Sequence, residues 1–225
     1  MTLRPTVFGL VPGAGHGAWC WQRVIGALDV LGYRGVAMDL PCEDDTAGAN
    51  RYADVVVKSL SGVHDEIVLV GHSLGGLTIP LVAQRRPVSK LVFLAGVLPM
   101  IGMSFDEQKR AEPEIVLPHP GGPRAARERF YSGASEADAA WAESQMHPQS
   151  QTPYLEVTPL TQWPDTDVAV VVPTEDRTVN PNWQRKAAVE RLGVQPVEVT
   201  GADHSPFLTQ PAELARVLVA LAEGS

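Results

Sequence analysis

Cysteine is scarce in this chain. Two occur in 225 residues, Cys20 and Cys42, at a spacing that matches no zinc or redox motif. Both read as free thiols, which removes disulfides as a source of stability and accords with a reducing compartment. Positive charge is also in deficit. Lys and Arg number 18 against 26 Asp and Glu, for a net charge of −8. That balance argues against nucleic acid or an anionic membrane as a partner, since both recruit cationic surfaces. No apolar run is long enough to span a bilayer. The first residues, Met1 to Thr6, hold no charged segment followed by an apolar one, so no signal peptide is expected. No internal repeat or low-complexity tract interrupts the chain. These absences leave a soluble cytoplasmic protein as the expectation, and 225 residues suffice for one domain with a sizeable core.

What is present is an alternation of short β-rich runs with helical patterns. That order predicts a mostly parallel sheet with helices on both faces. Strands are expected at Val7–Val11, Tyr33–Met38, Glu66–Val70, Lys90–Ala95, Val168–Val172 and Val194–Val199. Helices are expected at about 18–31, 48–60, 74–86, 180–192 and 211–222. Gly32 suits the stop of the first helix, and Pro80 is placed to kink the third. The alternation breaks over 100–165. Helical patches near 104–112, 124–131 and 135–146 are separated there by Pro113, Pro118, Pro120, Gly121, Gly122 and Pro148. Aromatic residues recur in it (Phe105, Phe130, Tyr131, Trp141, Tyr154 and Trp163), which a flexible linker would not carry. The expected organisation is a core of residues 1–99 and 166–225 with an inserted helical cap at 100–165.

The chemistry starts at Gly71-His72-Ser73-Leu74-Gly75-Gly76, directly after the apolar run Glu66 to Val70. A G-x-S-x-G between a strand and a helix lets the backbone turn sharply and stands the Ser hydroxyl at the strand's end. A hydroxyl is a poor nucleophile alone. It needs a base within hydrogen-bond reach and a third group that orients the base. In an open parallel sheet such groups lie past the carboxyl ends of the strands. Past the sixth expected strand stands His204, in Gly201-Ala202-Asp203-His204-Ser205-Pro206. Past the fifth stand Glu175 and Asp176, in Thr174-Glu175-Asp176-Arg177, and either can be the orienting acid. Asp203 adjoins His204 and its side chain should diverge from it. No carboxylate follows the fourth strand directly.

Acyl transfer also needs donors held ready for an oxyanion. The backbone N–H of Leu74, after the nucleophile, is one candidate. The loop Pro12-Gly13-Ala14-Gly15 offers Ala14 as a second, with Gly13 as the next choice. A phosphate-cradling reading of Gly13-Ala14-Gly15, with Asp39 as a ribose ligand, lacks the sixth-position glycine and any G-K-[ST]. It also leaves His204 without a role. His72 is expected to pack the elbow, and His16 to serve either a structural hydrogen bond or a pocket wall. His64, His119 and His147 read as solvated, and Trp19 and Trp21 as packing for the first helix. His16 and Cys20 lie four apart, but two ligands without a third make a poor metal site.

These motifs, with Gly15-His16-Gly17-Ala18-Trp19-Cys20-Trp21, resemble the α/β-hydrolase superfamily. Within it they are similar to plant methylesterases and hydroxynitrile lyases and to bacterial esterases of the pyrethroid-hydrolase type. The resemblance runs from about Val7 to Leu221 and is least specific over 100–165. It implies an α/β-hydrolase fold, a six-stranded mostly parallel sheet with a cap inserted after the fourth strand. It implies Ser73 as nucleophile, His204 as base, Asp176 rather than Glu175 as acid, and Ala14 with Leu74 as oxyanion donors. It implies no metal and no organic cofactor. The lyases of the group carry a lysine directly after the catalytic histidine, where this chain has Ser205, and a threonine where Gly13 stands. Both differences favour hydrolysis of a small carboxylic ester over cyanohydrin cleavage. Two other activities are open to the same residues: cofactor-free perhydrolysis or another non-ester reaction, and small-molecule reception with the triad retained.

Overall fold

The computed structural model describes residues 5–119, 121–122 and 124–224. Six strands form one sheet: β1 Thr6–Val11, β2 Arg34–Ala37, β3 Glu66–His72, β4 Lys90–Leu94, β5 Asp167–Pro173 and β6 Val197–Val199. Their order is β2-β1-β3-β4-β5-β6, and every pairing is parallel. The inner strands carry the continuous apolar runs because helices cover both faces of the sheet. The edge strands β2 and β6 are short and partly exposed.

The helices are α1 Gln22–Val30, α2 Ala49–Ser59, α3 Ile79–Ala83, α4 Phe105–Ala111, α5 Ala125–Phe130, α6 Glu136–Gln145, α7 Thr152–Leu155, α8 Pro181–Leu192, α9 Pro206–Thr209 and α10 Pro211–Glu223. Strand side chains alternate between two buried clusters, as the two-residue period requires. From β3, Ile67 and Leu69 join Tyr52 and Val56 of α2, Val82 of α3 and Trp183 of α8. Val68 and Val70 join Val24 and Leu28 of α1 with Leu214 and Leu218 of α10 on the opposite face. Each fully buried Leu or Val contributes about 1.5–3 kcal/mol relative to exposure, so both faces of the sheet are pinned.

Three elements differ from the sequence expectation, each for a local reason. The helix expected at 74–86 is a 3-10 turn, Ser73–Leu77, followed by the short α3. Pro80 has no N–H to donate and can stand only in the first turn of a helix, so a new helix starts at Ile79. The first helix likewise opens as a 3-10 turn, Ala18–Trp21. Its first N–H is taken by Asp39 Oδ1 at 2.7 Å, a partner 21 residues away in sequence. The sixth strand begins at Val197 rather than Val194 because the end of α8 uses Val194. Gly193 turns left-handed at φ 67°, and the Val194 N–H closes the helix on the Ala188 carbonyl at 3.1 Å.

Between β4 and β5 the chain forms α4 to α7 with no further strand among the described residues. Ser104 and Glu107 make a reciprocal capping box at the start of α4. Isolated bridges, Ser104 to Val157 and Val116 to Val179, tie the segment to itself and to the loop after β5. Among the described residues no helix is long and apolar enough to cross a membrane.

Candidate active site

β3 ends in a backbone conformation that ordinary side chains avoid. Ser73 has φ 49°, in the left-handed region, where a Cβ costs roughly 1–2 kcal/mol. The packing around it explains why the turn is so tight. A Cβ on Gly71 would lie 2.9 Å from the Gly75 carbonyl oxygen, one on Gly75 2.7 Å from that of Pro12, and one on Gly76 2.2 Å from that of Val97. The glycines of the motif are therefore required by close backbone approach. The Ser73 carbonyl accepts from the Val97 N–H at 3.0 Å, which fastens the elbow to the turn after β4. Ser73 remains half-buried while its neighbours from Gly71 to Leu77 are fully buried.

The loops after β5 and β6 bring Asp176 and His204 together. His204 Nδ1 and Asp176 Oδ2 are 2.9 Å apart, with both side chains buried. Asp176 is fully engaged. Its Oδ1 accepts from the backbone N–H groups of Thr178 at 2.7 Å and Val179 at 3.1 Å. Its Oδ2 also accepts from Gln184 Nε2 at 3.2 Å. A carboxylate accepts only, so His204 Nδ1 is the donor and Nε2 holds the free lone pair. Glu175 is exposed and does not take part. Asp203 diverges from His204, as adjacency predicts. It accepts from Ser205 N–H and Thr209 Oγ1, and from the Gly133 N–H at 2.9 Å.

The loop after β1 lies against the elbow. A Cβ on Gly13 would stand 2.8 Å from His72 Nδ1 and 2.9 Å from Ser73 Cβ. The N–H of Ala14 donates to nothing else among the described residues. Leu74 sits in the first turn of its 3-10 helix, where N–H groups have no intrahelical partner. The Ala14–Gly15 peptide is clamped at both ends. His16 Nδ1–H donates to the Ala14 carbonyl at 2.8 Å, and Gly15 N–H donates to Gln149 Oε1 at 3.1 Å. With Nδ1 donating, His16 Nε2 must accept, so the Tyr131 hydroxyl at 2.8 Å is the donor. Burial pushes the His16 pKa down to about 4, opposed by the Ala14 carbonyl and aided by the charge of His204. His16 thus makes a structural hydrogen bond and also lines a groove.

His72 does more than pack. Its Nε2–H donates to the His204 carbonyl at 2.8 Å, and its Nδ1 has no partner. Burial, and then the charges of His204 and His16, hold it well below the usual imidazole range. Trp21 packs against His72 and Phe207. Trp19 stacks on His16. His64 and His147 are exposed and His119 is half-buried; His147 and His119 contact Glu43 and Glu128. Cys20 and Cys42 are free and buried. Among the described residues no three of His, Cys, Asp and Glu converge as a metal-ligand set.

A cavity of about 350 Å³ opens over Ser73 and is also lined by Ala14, Leu74, Phe130, Tyr154 and Val179. That volume suits a small organic ligand. A larger open groove of about 900 Å³, lined by His16, Trp19, Asp39, Glu43 and His147, contains neither Ser73 nor Leu74. The smaller cavity is the one over the hydroxyl. Sequence reasoning missed Tyr131, Gln149, Thr178 and Gln184 as parts of this network. Only Gln184 left a trace, as a polar residue among Trp183, Ala187 and Ala188 on the buried side of α8.

A strained serine at a strand-to-helix elbow and a buried His–Asp pair on the loops after β5 and β6 are features found together in α/β-hydrolases. The chain belongs to the alpha/beta hydrolase family, whose model matches residues 10–217. It is 31% identical over 256 aligned positions to the probable esterase PIR7A of Oryza sativa subsp. indica, covering 96% of each chain. It is 26% identical to the putative chloroplastic methylesterase 14 of Arabidopsis thaliana, covering 96% of this chain and 72% of that one. The crystal structure of polyneuridine aldehyde esterase superposes with a TM-score of 0.82 at 22% identity, over 97% of this chain and all 100% of that one. At that identity the likeness speaks for the fold.

Proposed function

We propose that the chain hydrolyses small carboxylic esters through an acyl-enzyme, with Ser73, His204 and Asp176 as the catalytic triad. The observation that carries this reading is the buried His204–Asp176 contact of 2.9 Å, together with a serine held at φ 49° that lines a cavity. The esterase names of the relatives support it. Ser73 Oγ attacks the ester carbonyl while His204 Nε2 takes its proton. The Ala14 and Leu74 N–H groups hold the oxyanion. The intermediate collapses, His204 returns the proton to the leaving alkoxide, and the acyl group remains on Ser73. A water then repeats the sequence, delivering its proton to His204 and its oxygen to the acyl carbon, and releases the acid. Asp176 orients the imidazole and stabilises its charged form.

In the same reading residues 100–165 are a helical cap inserted in the core. Its Phe105, Phe130 and Tyr154 line the cavity over Ser73. The test is turnover of an activated ester with mass spectrometry of the trapped adduct. Ser73→Ala is expected to lower kcat by about 10³-fold or more with the fold retained. Wild-type turnover in that variant, or an adduct on another residue, sinks the assignment.

A further inference from the structure

The cavity over Ser73 is lined by two cationic side chains in a chain that is acidic as a whole. Acidic residues outnumber basic ones by 26 to 18. Yet the side chains lining this cavity include Lys109 and Arg129 and no Asp or Glu. The two cations are not equally available. Lys109 Nζ lies 3.1 Å from Asp106 and sits over the rings of Phe105 and Tyr154. Arg129 makes no ion pair and no side-chain hydrogen bond among the described residues. Its Nε is buried without a partner, and its guanidinium carbon lies 5.6 Å from the Phe130 ring centre.

The Nε atoms of Arg86 and Arg127 are unpartnered too, but the other half-buried arginines each place at least one nitrogen on an acceptor. Arg127, Arg185 and Arg191 each donate to carboxylates, and Arg86 donates to the main-chain carbonyls of Leu60 and Val63. Guanidinium groups that lose water normally gain acceptors, because unpaired charge in a low-dielectric site is costly. Arg129 alone among them has no side-chain acceptor among the described residues, and it lines the cavity over Ser73. Tyr154 lines the same cavity. Burial pushes the Tyr154 phenol up to about 12, and Arg129 works against the shift.

We propose that the substrate is an ester that also carries a free carboxylate, and that Arg129 binds that carboxylate while the ester carbonyl lies over Ser73. A planar carboxylate matches the donor fork of a guanidinium. Tyr154 and Gln151, also on the cavity wall, add polar groups beside it. The inference rests on the ester-hydrolase reading of this cavity and names the class of ester.

The test compares matched pairs at constant ionic strength: monoethyl against diethyl glutarate, with the charge on the acyl side, and 4-acetoxybutanoate against its ethyl ester, with the charge on the alcohol side. In at least one pair the anionic ester is expected to have the higher kcat/KM. Arg129→Gln should reduce the anionic-to-neutral ratio by about tenfold to a hundredfold, the usual range for a charge-assisted hydrogen bond. Arg129→Lys should keep part of it. Neutral esters favoured in both pairs, or a ratio unchanged in Arg129→Gln, overturns the proposal. Calorimetric binding of the anionic esters to Ser73→Ala separates this from the catalytic reading. Absent wild-type turnover with Arg129-dependent binding defeats esterase chemistry and leaves anion recognition standing. Turnover of neutral esters with no such binding defeats the anion proposal alone.

Discussion

Replacing Asp176 by Asn tests the site most sharply, because its hydrogen bonds dictate how the amide must sit. The carboxylate accepts on two sides. Oδ1 faces the backbone N–H groups of Thr178 and Val179, at 2.7 and 3.1 Å. Oδ2 faces His204 Nδ1 and Gln184 Nε2, at 2.9 and 3.2 Å. An amide has one oxygen and one NH2, so one side must meet a donor with a donor. The backbone N–H groups cannot change, whereas an imidazole can move its proton. The amide oxygen is therefore expected on the Thr178–Val179 side, with NH2 towards His204. Nδ1 then becomes an acceptor and the proton moves to Nε2. In that tautomer His204 cannot accept a proton from Ser73.

The expected result is a fall in kcat of about 10⁴, the scale seen when a triad histidine is left in the wrong tautomer. Stability should fall by about 1–3 kcal/mol, since the lost bonds are buried and charge-assisted. Steady-state rates on an activated ester, urea unfolding and the imidazole ¹⁵N shifts of His204 give the three readouts. Glu175→Gln is the control, because Glu175 is exposed, and it should stay close to wild type. A folded Asp176→Asn protein within tenfold of wild type, or an equal loss in Glu175→Gln, would falsify the assignment of the acid.

Ser73→Gly should be more stable than Ser73→Ala by about 1 kcal/mol in urea midpoints, although both are inactive, because only glycine is unstrained at φ 49°; equal midpoints refute strain at the elbow. Tyr131→Phe leaves the buried His16 Nε2 without its donor and should cost about 1–3 kcal/mol. A fall in kcat larger than the rise in KM should accompany it, and unchanged kcat and stability contradict the clamp. His16 is held neutral down to about pH 4 against an ordinary 6.5, so between those values the unfolded chain takes up a proton that the folded one refuses. Stability should fall with acid through that window by up to about 1.4 kcal/mol per pH unit from this group, level out below it, and lose that part of the slope in His16→Asn.

The legible parts of the fold were those decided locally. Runs such as Ile67 to Val70 and Val168 to Val172 are apolar on both faces and, between turn signals in an alternating β/α order, suit a covered parallel strand. The elbow was readable because backbone collisions at Gly71, Gly75 and Gly76 leave no choice of residue. Asp176 was separable from Glu175 only by resemblance, since adjacent carboxylates look alike in sequence, and burial distinguishes them. Tyr131 and Gln149 were illegible. Their partners, His16 and Gly15, lie 115 and 134 residues away, and a lone Tyr or Gln in a loop between helices carries no periodic signal. Val194 was misread because a valine after a glycine serves a strand or a helix stop equally well, and the left-handed turn at Gly193 decided between them.

Three imidazoles in contact set a condition on the chemistry. The His72 ring centre lies 4.7 Å from that of His204 and 5.8 Å from that of His16. Two unit charges about 5 Å apart at an effective dielectric near 20 repel by about 3 kcal/mol. In the proposed mechanism His204 becomes charged in every turnover, so its neighbours must stay neutral. Burial supplies part of that. The hydrogen-bond pattern supplies the rest, because the His72 Nε2 proton is committed to the His204 carbonyl and a second proton on Nδ1 would find no acceptor. Gly13 faces that nitrogen, and a Cβ there would lie 2.8 Å from it. Glycine at this position keeps an acceptor side chain away from Nδ1 and lets the Ala14 loop settle onto the elbow. In the proposed mechanism, the departure from the lyase pattern at Gly13 therefore helps to keep His72 neutral while His204 is charged.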